Sequence, residues 1–244
     1  MKTSTTGVIS VNCALSVAIQ IFEALEDLHT AGFIHRDMKP SNVCFGRKDR
    51  GEQGKVFLLS FGISRKYLDG KNQMRRPREN VEFRGTVRYA SLACHQLQEL
   101  SRKDDLESTL YVLAEMMTGQ LPWKGLPDGG AVMKTKQNSR FPPGIYQLFR
   151  GACPIDELRE LLGLIDTLTY YSNPDYGAIY NVSFFFHFLT ARRVNVVATY
   201  VNSINYKFCT LTLFQILRRA MRRNTQPEHP YDWEIGGTNP LGDL

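Results

Sequence analysis

Apolar residues recur at helical spacing in three places along this chain. Leu15, Ile19, Phe22, Leu25 and Leu28 form the first run, and Gly32 follows it as a C-terminal stop. Leu106, Leu110, Leu113 and Met117 form the second, closed by Gly119 and Pro122. Leu158, Leu161, Ile165 and Leu168 form the third, which opens after Pro154. Between the first two runs lies "FIHRDMKPSNVCFG", a polar loop flanked by short apolar pieces. The run "VFLL" at 56–59 predicts a short buried strand. Residues 65–88 read as an irregular, basic loop, and Asn173-Pro174 as a turn. Residues 217–223 predict a short basic helix, and 224–244 a Pro/Gly-rich tail. The pattern is that of a mostly helical protein with a few short strands beside the loops.

Composition narrows this only slightly. At 244 residues, 43% hydrophobic and 22% charged, the chain is long enough to bury a sizeable core in one or two domains. Its 30 Lys+Arg against 24 Asp+Glu leave a net charge of +6, so the position of the basic residues matters more than their excess. Cys13, Cys44, Cys94, Cys153 and Cys209 are scattered and odd in number, which predicts reduced thiols and neither a disulfide framework nor a zinc site. The N-terminus carries no apolar signal-like run. The expectation is an intracellular protein, cytoplasmic or nuclear, that binds neither membrane nor nucleic acid; no aromatic pattern interleaves the basic residues.

The densest chemical signal is "HRDMKPSN". Phosphoryl transfer needs a carboxylate to take up the substrate hydroxyl proton, a cation near the moving phosphoryl, and an oxygen ligand for Mg²⁺. Asp37, Lys39 and Asn42 supply those three groups within one tight loop. A solvated loop with a chance Asp, His and Lys would not be expected to reproduce this spacing.

That string, followed by "FGISRKY", "VEFRGTVRYASLACH", "RKDDLES" and "GQLPWKG", resembles protein kinases of the casein kinase group, nearest the tau-tubulin kinase-like branch. The "RYAS" run takes the place of the A-P-E of most other kinases. The likeness runs from Leu15 to about Tyr180 and resumes at residues 217–234. It implies a protein kinase-like (α+β) fold, mainly α, with a large C-terminal lobe and no small N-terminal lobe. It implies transfer of the ATP γ-phosphoryl to protein serine or threonine, with ATP and Mg²⁺ as cofactors. By resemblance Asp37 is the catalytic base, Lys39 the phosphate-contacting lysine, and Asn42 a Mg²⁺ ligand. His35 and Phe61 stack in the hydrophobic spine, Arg36 and Gly62 belong to the same supporting motifs, and Asp105 ties down the catalytic loop. Arg84 and Arg88 resemble an anion pocket for acidic or phosphorylated protein partners, a role suited to the guanidinium fork. A solvated basic loop is the alternative for that stretch.

Three departures bear on activity. Ser60 stands where the metal-binding carboxylate belongs, and a neutral hydroxyl is a weaker ligand for a hard cation. No G-x-G-x-x-G run precedes the first helix. Residues 182–215 break the family pattern: they hold no Asp, Glu, Gly or Pro, and a membrane span is opposed by Lys207 and Arg192-Arg193. Val182-Ser183 can be encoded by GTAAGT and Phe214-Gln215 by TTTCAG, so this insert reads as translated intron. The expected organisation is a truncated kinase domain over 1–234, the insert at 182–215, and a tail at 235–244. The expected activity is weak or nil, and the alternative is a non-catalytic pseudokinase module binding acidic or phosphorylated proteins.

Overall fold

The computed structural model describes residues 8–151 and 154–176. The first apolar run forms α1 (Val11–Thr30), whose N-cap Ser10 side chain accepts the Cys13 N–H at 3.3 Å. Gly32, at φ 86°, turns the chain out of the helix into β1 (Phe33–Ile34). β2 (Val43–Phe45) and β3 (Val56–Leu58) pair antiparallel, with Val43 opposite Leu58. β4 (Arg65–Lys66) returns to pair antiparallel with β1, with Phe33 opposite Lys66. These two short ladders hold the polar loop at both ends.

The 56–58 strand forms as expected but is half-buried rather than buried. Strand side chains alternate in direction, so Val56 and Leu58 pack on the core while Phe57 points the other way. Gln20 of α1 locks this hairpin, donating to Gly54 O and accepting from Val56 N–H, both at 3.0 Å.

Three helices follow: α2 (Leu92–His95) and α4 (Gly129–Asn138), which the apolar pattern did not signal, and between them α3 (Arg102–Thr118). α3 is the second apolar run. Asp104 in its first turn accepts the Ser101 N–H at 2.7 Å, and Gly119 ends it at φ 78° with its N–H on Glu115 O. α5 (Gly144–Leu148) and α6 (Ile155–Thr167) complete the described chain, and α6 is the third run. Leu15, Phe22 and Leu25 of α1, Leu110, Tyr111 and Leu113 of α3, and Leu158, Leu161 and Ile165 of α6 form one core. Each such fully buried side chain contributes about 1.5–3 kcal/mol of transfer free energy. A second cluster, with Ile34, Tyr67, Ala93 and Leu100, lies beneath the basic loop.

Among the described residues no helix is long and apolar enough to cross a membrane. The 182–215 insert, the 217–223 helix and the tail lie outside the described residues.

Candidate active site

The site is built from Asp105 upward. This residue sits in the first turn of α3 and is buried. One carboxylate oxygen accepts the His35 N–H at 2.7 Å, and the other accepts the Arg36 N–H at 2.8 Å. His29 Nε2 also lies 2.8 Å from Asp105, and His29 Nδ1 lies 2.5 Å from the Tyr176 hydroxyl. Burial pushes the Tyr176 phenol up, so the hydroxyl keeps its proton and donates to Nδ1, which leaves Nε2–H facing Asp105. α1, α3 and the 173–176 turn are thereby joined at the foot of the polar loop.

The loop above is held at each residue. Arg36 adopts φ 69°, and its side-chain Nε–H donates to Ile63 O at 2.6 Å. His35 Nε2 donates to Leu59 O at 2.9 Å, and its Nδ1 accepts the Asp37 N–H at 3.2 Å. The Phe61 ring lies 5.3 Å from the His35 ring but is half-exposed.

Asp37, Lys39 and Asn42 come together around one carboxylate. Lys39 Nζ is 2.6 Å from Asp37 Oδ2, and the Asn42 amide donates to Asp37 O at 2.8 Å and to Oδ2 at 3.1 Å. Thr86 donates its hydroxyl to Asp37 Oδ1 at 2.7 Å and accepts from Lys39 Nζ at 3.1 Å. Burial alone would raise the Asp37 carboxyl; the hydrogen bonds from Lys39 and Thr86 outweigh it and hold the group below its ordinary value. The result is an ionised acceptor aimed by three donors. Gly85 makes this approach possible: at φ 124°, a Cβ there would stand 2.8 Å from Arg36 O.

Ser60 is exposed and left-handed, at φ 65° and ψ 59°, a conformation that Asp and Asn adopt more readily than Ser. Gly62 beside it has open space around its Cα. The donor set here does not fit a hard dication well. Asn42 and Ser60 are both neutral, the nearest carboxylate, Asp37, is already bound by Lys39, Thr86 and Asn42, and no group of three His, Cys, Asp or Glu able to hold a metal occurs among the described residues.

The basic loop is more ordered than its composition implies. Glu99, buried, pairs with Arg78 and with Arg65 at 3.4 Å. Burial would raise the Glu99 carboxyl, but the Arg78 hydrogen bond and the charge of Arg65 hold it down. Arg84 pairs with Glu82 at 3.1 Å and Arg88 with Glu115 at 3.3 Å, and both guanidinium groups remain about half exposed. Each of these arginines thus already holds its own carboxylate. Thr86, Glu99, His29 and Tyr176 were missed in the sequence. Thr86 had a signal, a hydroxyl inside the quoted "RGTVRY"; Glu99 had none, because its partners lie in distant segments.

A match to the protein kinase domain family spans residues 2–149. The chain belongs to the protein kinase family. The chain is 34% identical over 170 residues to a protein of Dictyostelium discoideum named as a serine/threonine-protein kinase, covering 70% of this chain and 33% of that one. It is 35% identical over 170 residues to casein kinase I homolog 2 of Saccharomyces cerevisiae, covering 68% of this chain and 31% of that one. A Caenorhabditis elegans protein named as a serine/threonine-protein kinase is 32% identical over 177 residues, covering 71% of this chain and 49% of that one. The chain therefore spans about a third to a half of the length of these relatives. Its described residues are mainly helical with a few short strands, a C-lobe-like arrangement within a protein kinase domain.

Proposed function

We propose that this chain is a serine/threonine protein kinase of the casein kinase group, in the tau-tubulin kinase-like branch, with an assembled catalytic loop and an impaired metal position. In this reading Asp37 receives the proton of a substrate hydroxyl, and Lys39 faces the transferring phosphoryl. When bound, Mg²⁺-ATP supplies the phosphoryl group and charge neutralisation. The chain's own residues do less than the chemistry asks, because Ser60 puts no negative charge at the metal position. The observation that carries the reading is this contrast: Asp37 is oriented by Lys39, Thr86 and Asn42, while Ser60 is a neutral, exposed side chain on a left-handed backbone. Losing one preorganised electrostatic group typically costs on the order of 10²–10³ in rate.

Acidic or phosphorylated proteins are the proposed partners, met by the half-exposed Arg84 and Arg88. The "RYAS" run supports the casein kinase group. Cys13, Cys44 and Cys94 are free buried thiols, which suits a reducing, intracellular setting. The second reading, a pseudokinase that binds acidic partners without turnover, is favoured by Ser60 itself. Two measurements decide between them. Calorimetry with Mg²⁺-ATP is expected to give an affinity weaker than micromolar, and phosphotransfer to an acidic serine peptide is expected to rise in Ser60→Asp by about 10²-fold. Micromolar nucleotide affinity in the native chain would overturn the impairment. No gain in Ser60→Asp would favour the pseudokinase.

A further inference from the structure

The loop that carries Arg84 and Arg88 is held from beneath by its carbonyl oxygens. The Cys94 thiol donates to Arg84 O at 3.3 Å, and Trp123 Nε1 donates to Arg88 O at 2.7 Å. Beside these, Lys136 Nζ donates to Val87 O at 2.9 Å and Ala90 O at 2.6 Å. Lys136 comes from α4, a helix otherwise remote from the catalytic loop, and its side chain is completely buried. Its amine lies 3.1 Å from His95 Nε2 and sits 4.9 Å over the Tyr111 ring and 5.1 Å over the Trp123 ring. Glu107 and Tyr111 of α3, Arg140 of the turn after α4, and Cys94 and His95 of α2 face it. Burial pulls the amine down to about 7, opposed by Glu107. A buried amine at such a cost, with both carbonyl partners in one loop, does more than fill space.

We propose that Lys136 is the positioning residue of this loop. By pinning Val87 O and Ala90 O it fixes the backbone on either side of Arg88 and holds it relative to Arg84, so the two guanidinium groups meet an acidic or phosphorylated peptide in one arrangement. This rests on the reading of that loop as the partner-binding surface. Lys136 touches no substrate, and its effect passes through the loop.

The test uses the full chain and a fluorescent acidic peptide carrying one phosphoserine. Two quantities are read: peptide affinity by anisotropy, and hydrogen exchange of the Tyr89 and Ala90 amides, which both donate to Thr86 O at 2.9 Å. Lys136→Met is expected to weaken binding about tenfold and to speed those two amides by a similar factor, while α1 and α3 keep their protection. Lys134→Met makes the same charge change at an exposed position of α4 and is expected to stay within about twofold. Propylammonium supplied to Lys136→Ala at constant ionic strength replaces the missing atoms and is expected to restore both readouts. Unchanged Tyr89 and Ala90 exchange in Lys136→Met would overturn the proposal. So would a uniform loss of protection in α1 and α3 that propylammonium does not reverse. If the native chain does not bind the peptide, the reading of the loop falls, and the exchange comparison alone still decides the role of Lys136.

Discussion

Replacing Asp105 with alanine removes the foundation of the catalytic loop. Three donors lose their acceptor at once: the His35 N–H at 2.7 Å, the Arg36 N–H at 2.8 Å and His29 Nε2 at 2.8 Å. A hydrogen bond to a charged group contributes about 1.5–3 kcal/mol, and leaving buried donors unpaired adds their desolvation cost. The three share one carboxylate, so their losses do not add in full. The expected loss is about 4 kcal/mol, a large share of the 5–15 kcal/mol that typically holds a domain. For a chain of this size, that lowers Tm by about 8–16 °C. Asp105→Asn keeps one acceptor oxygen but turns an NH₂ toward a donor, so it should cost roughly half as much. The assay is urea unfolding at constant m-value, paired with hydrogen exchange at His35 and Arg36. A loss below about 1 kcal/mol in Asp105→Ala, or undiminished protection at those two amides, would refute the reasoning.

Other substitutions probe other contacts. Gly85→Ala sets a Cβ 2.8 Å from Arg36 O at φ 124° and should cost about 2 kcal/mol in chemical denaturation; Gly62→Ala, with nothing within 4 Å, should cost far less, and equal effects would contradict the close-approach argument. The Lys136 amine, ordinarily 10.5 and here about 7, means that between those values the unfolded chain binds more protons than the folded one. Stability of the native chain relative to Lys136→Met should therefore rise by about 2 kcal/mol from pH 7 to pH 9, and a pH-independent difference would count against the shift. Replacing Arg84 and Arg88 together by alanine should weaken salt-sensitive binding of acidic peptides several-fold more than replacing Arg75 and Arg76; equal effects would return the stretch to a solvated loop.

The long helices were legible because their core faces repeat and their ends are signed. Gly32 and Gly119 stop α1 and α3, and Pro154 opens α6. The polar loop was legible because Asp37, Lys39 and Asn42 act locally, within a few residues of one another. α4 was not legible: it begins with two glycines and its one deeply buried polar group is a lysine, so neither pattern nor propensity signalled a helix. Asp128 overrides them, accepting the Ala131 N–H at 2.8 Å as an N-cap. The basic stretch is irregular as its pattern reads, with only β4 and the Leu68–Met74 bridge regular in it; what the pattern did not carry is its tether to Glu99, a pairing across distant segments.

The supports of the site are arranged so that its parts can be lost separately. Asp37 takes its orientation from Lys39, Thr86 and Asn42, and the loop backbone takes its shape from Asp105 and from Leu59 O on His35. None of these contacts uses the side chain of Ser60. The Arg84–Arg88 surface rests in turn on Cys94, Trp123 and Lys136, which belong to α2, the turn after α3, and α4. A change of side chain at position 60 therefore withdraws no hydrogen bond that holds the polar loop or the basic loop. The Asp37 cluster and the Arg84–Arg88 surface thus rest on different contacts, so a substitution that disturbs one is expected to leave the supports of the other in place.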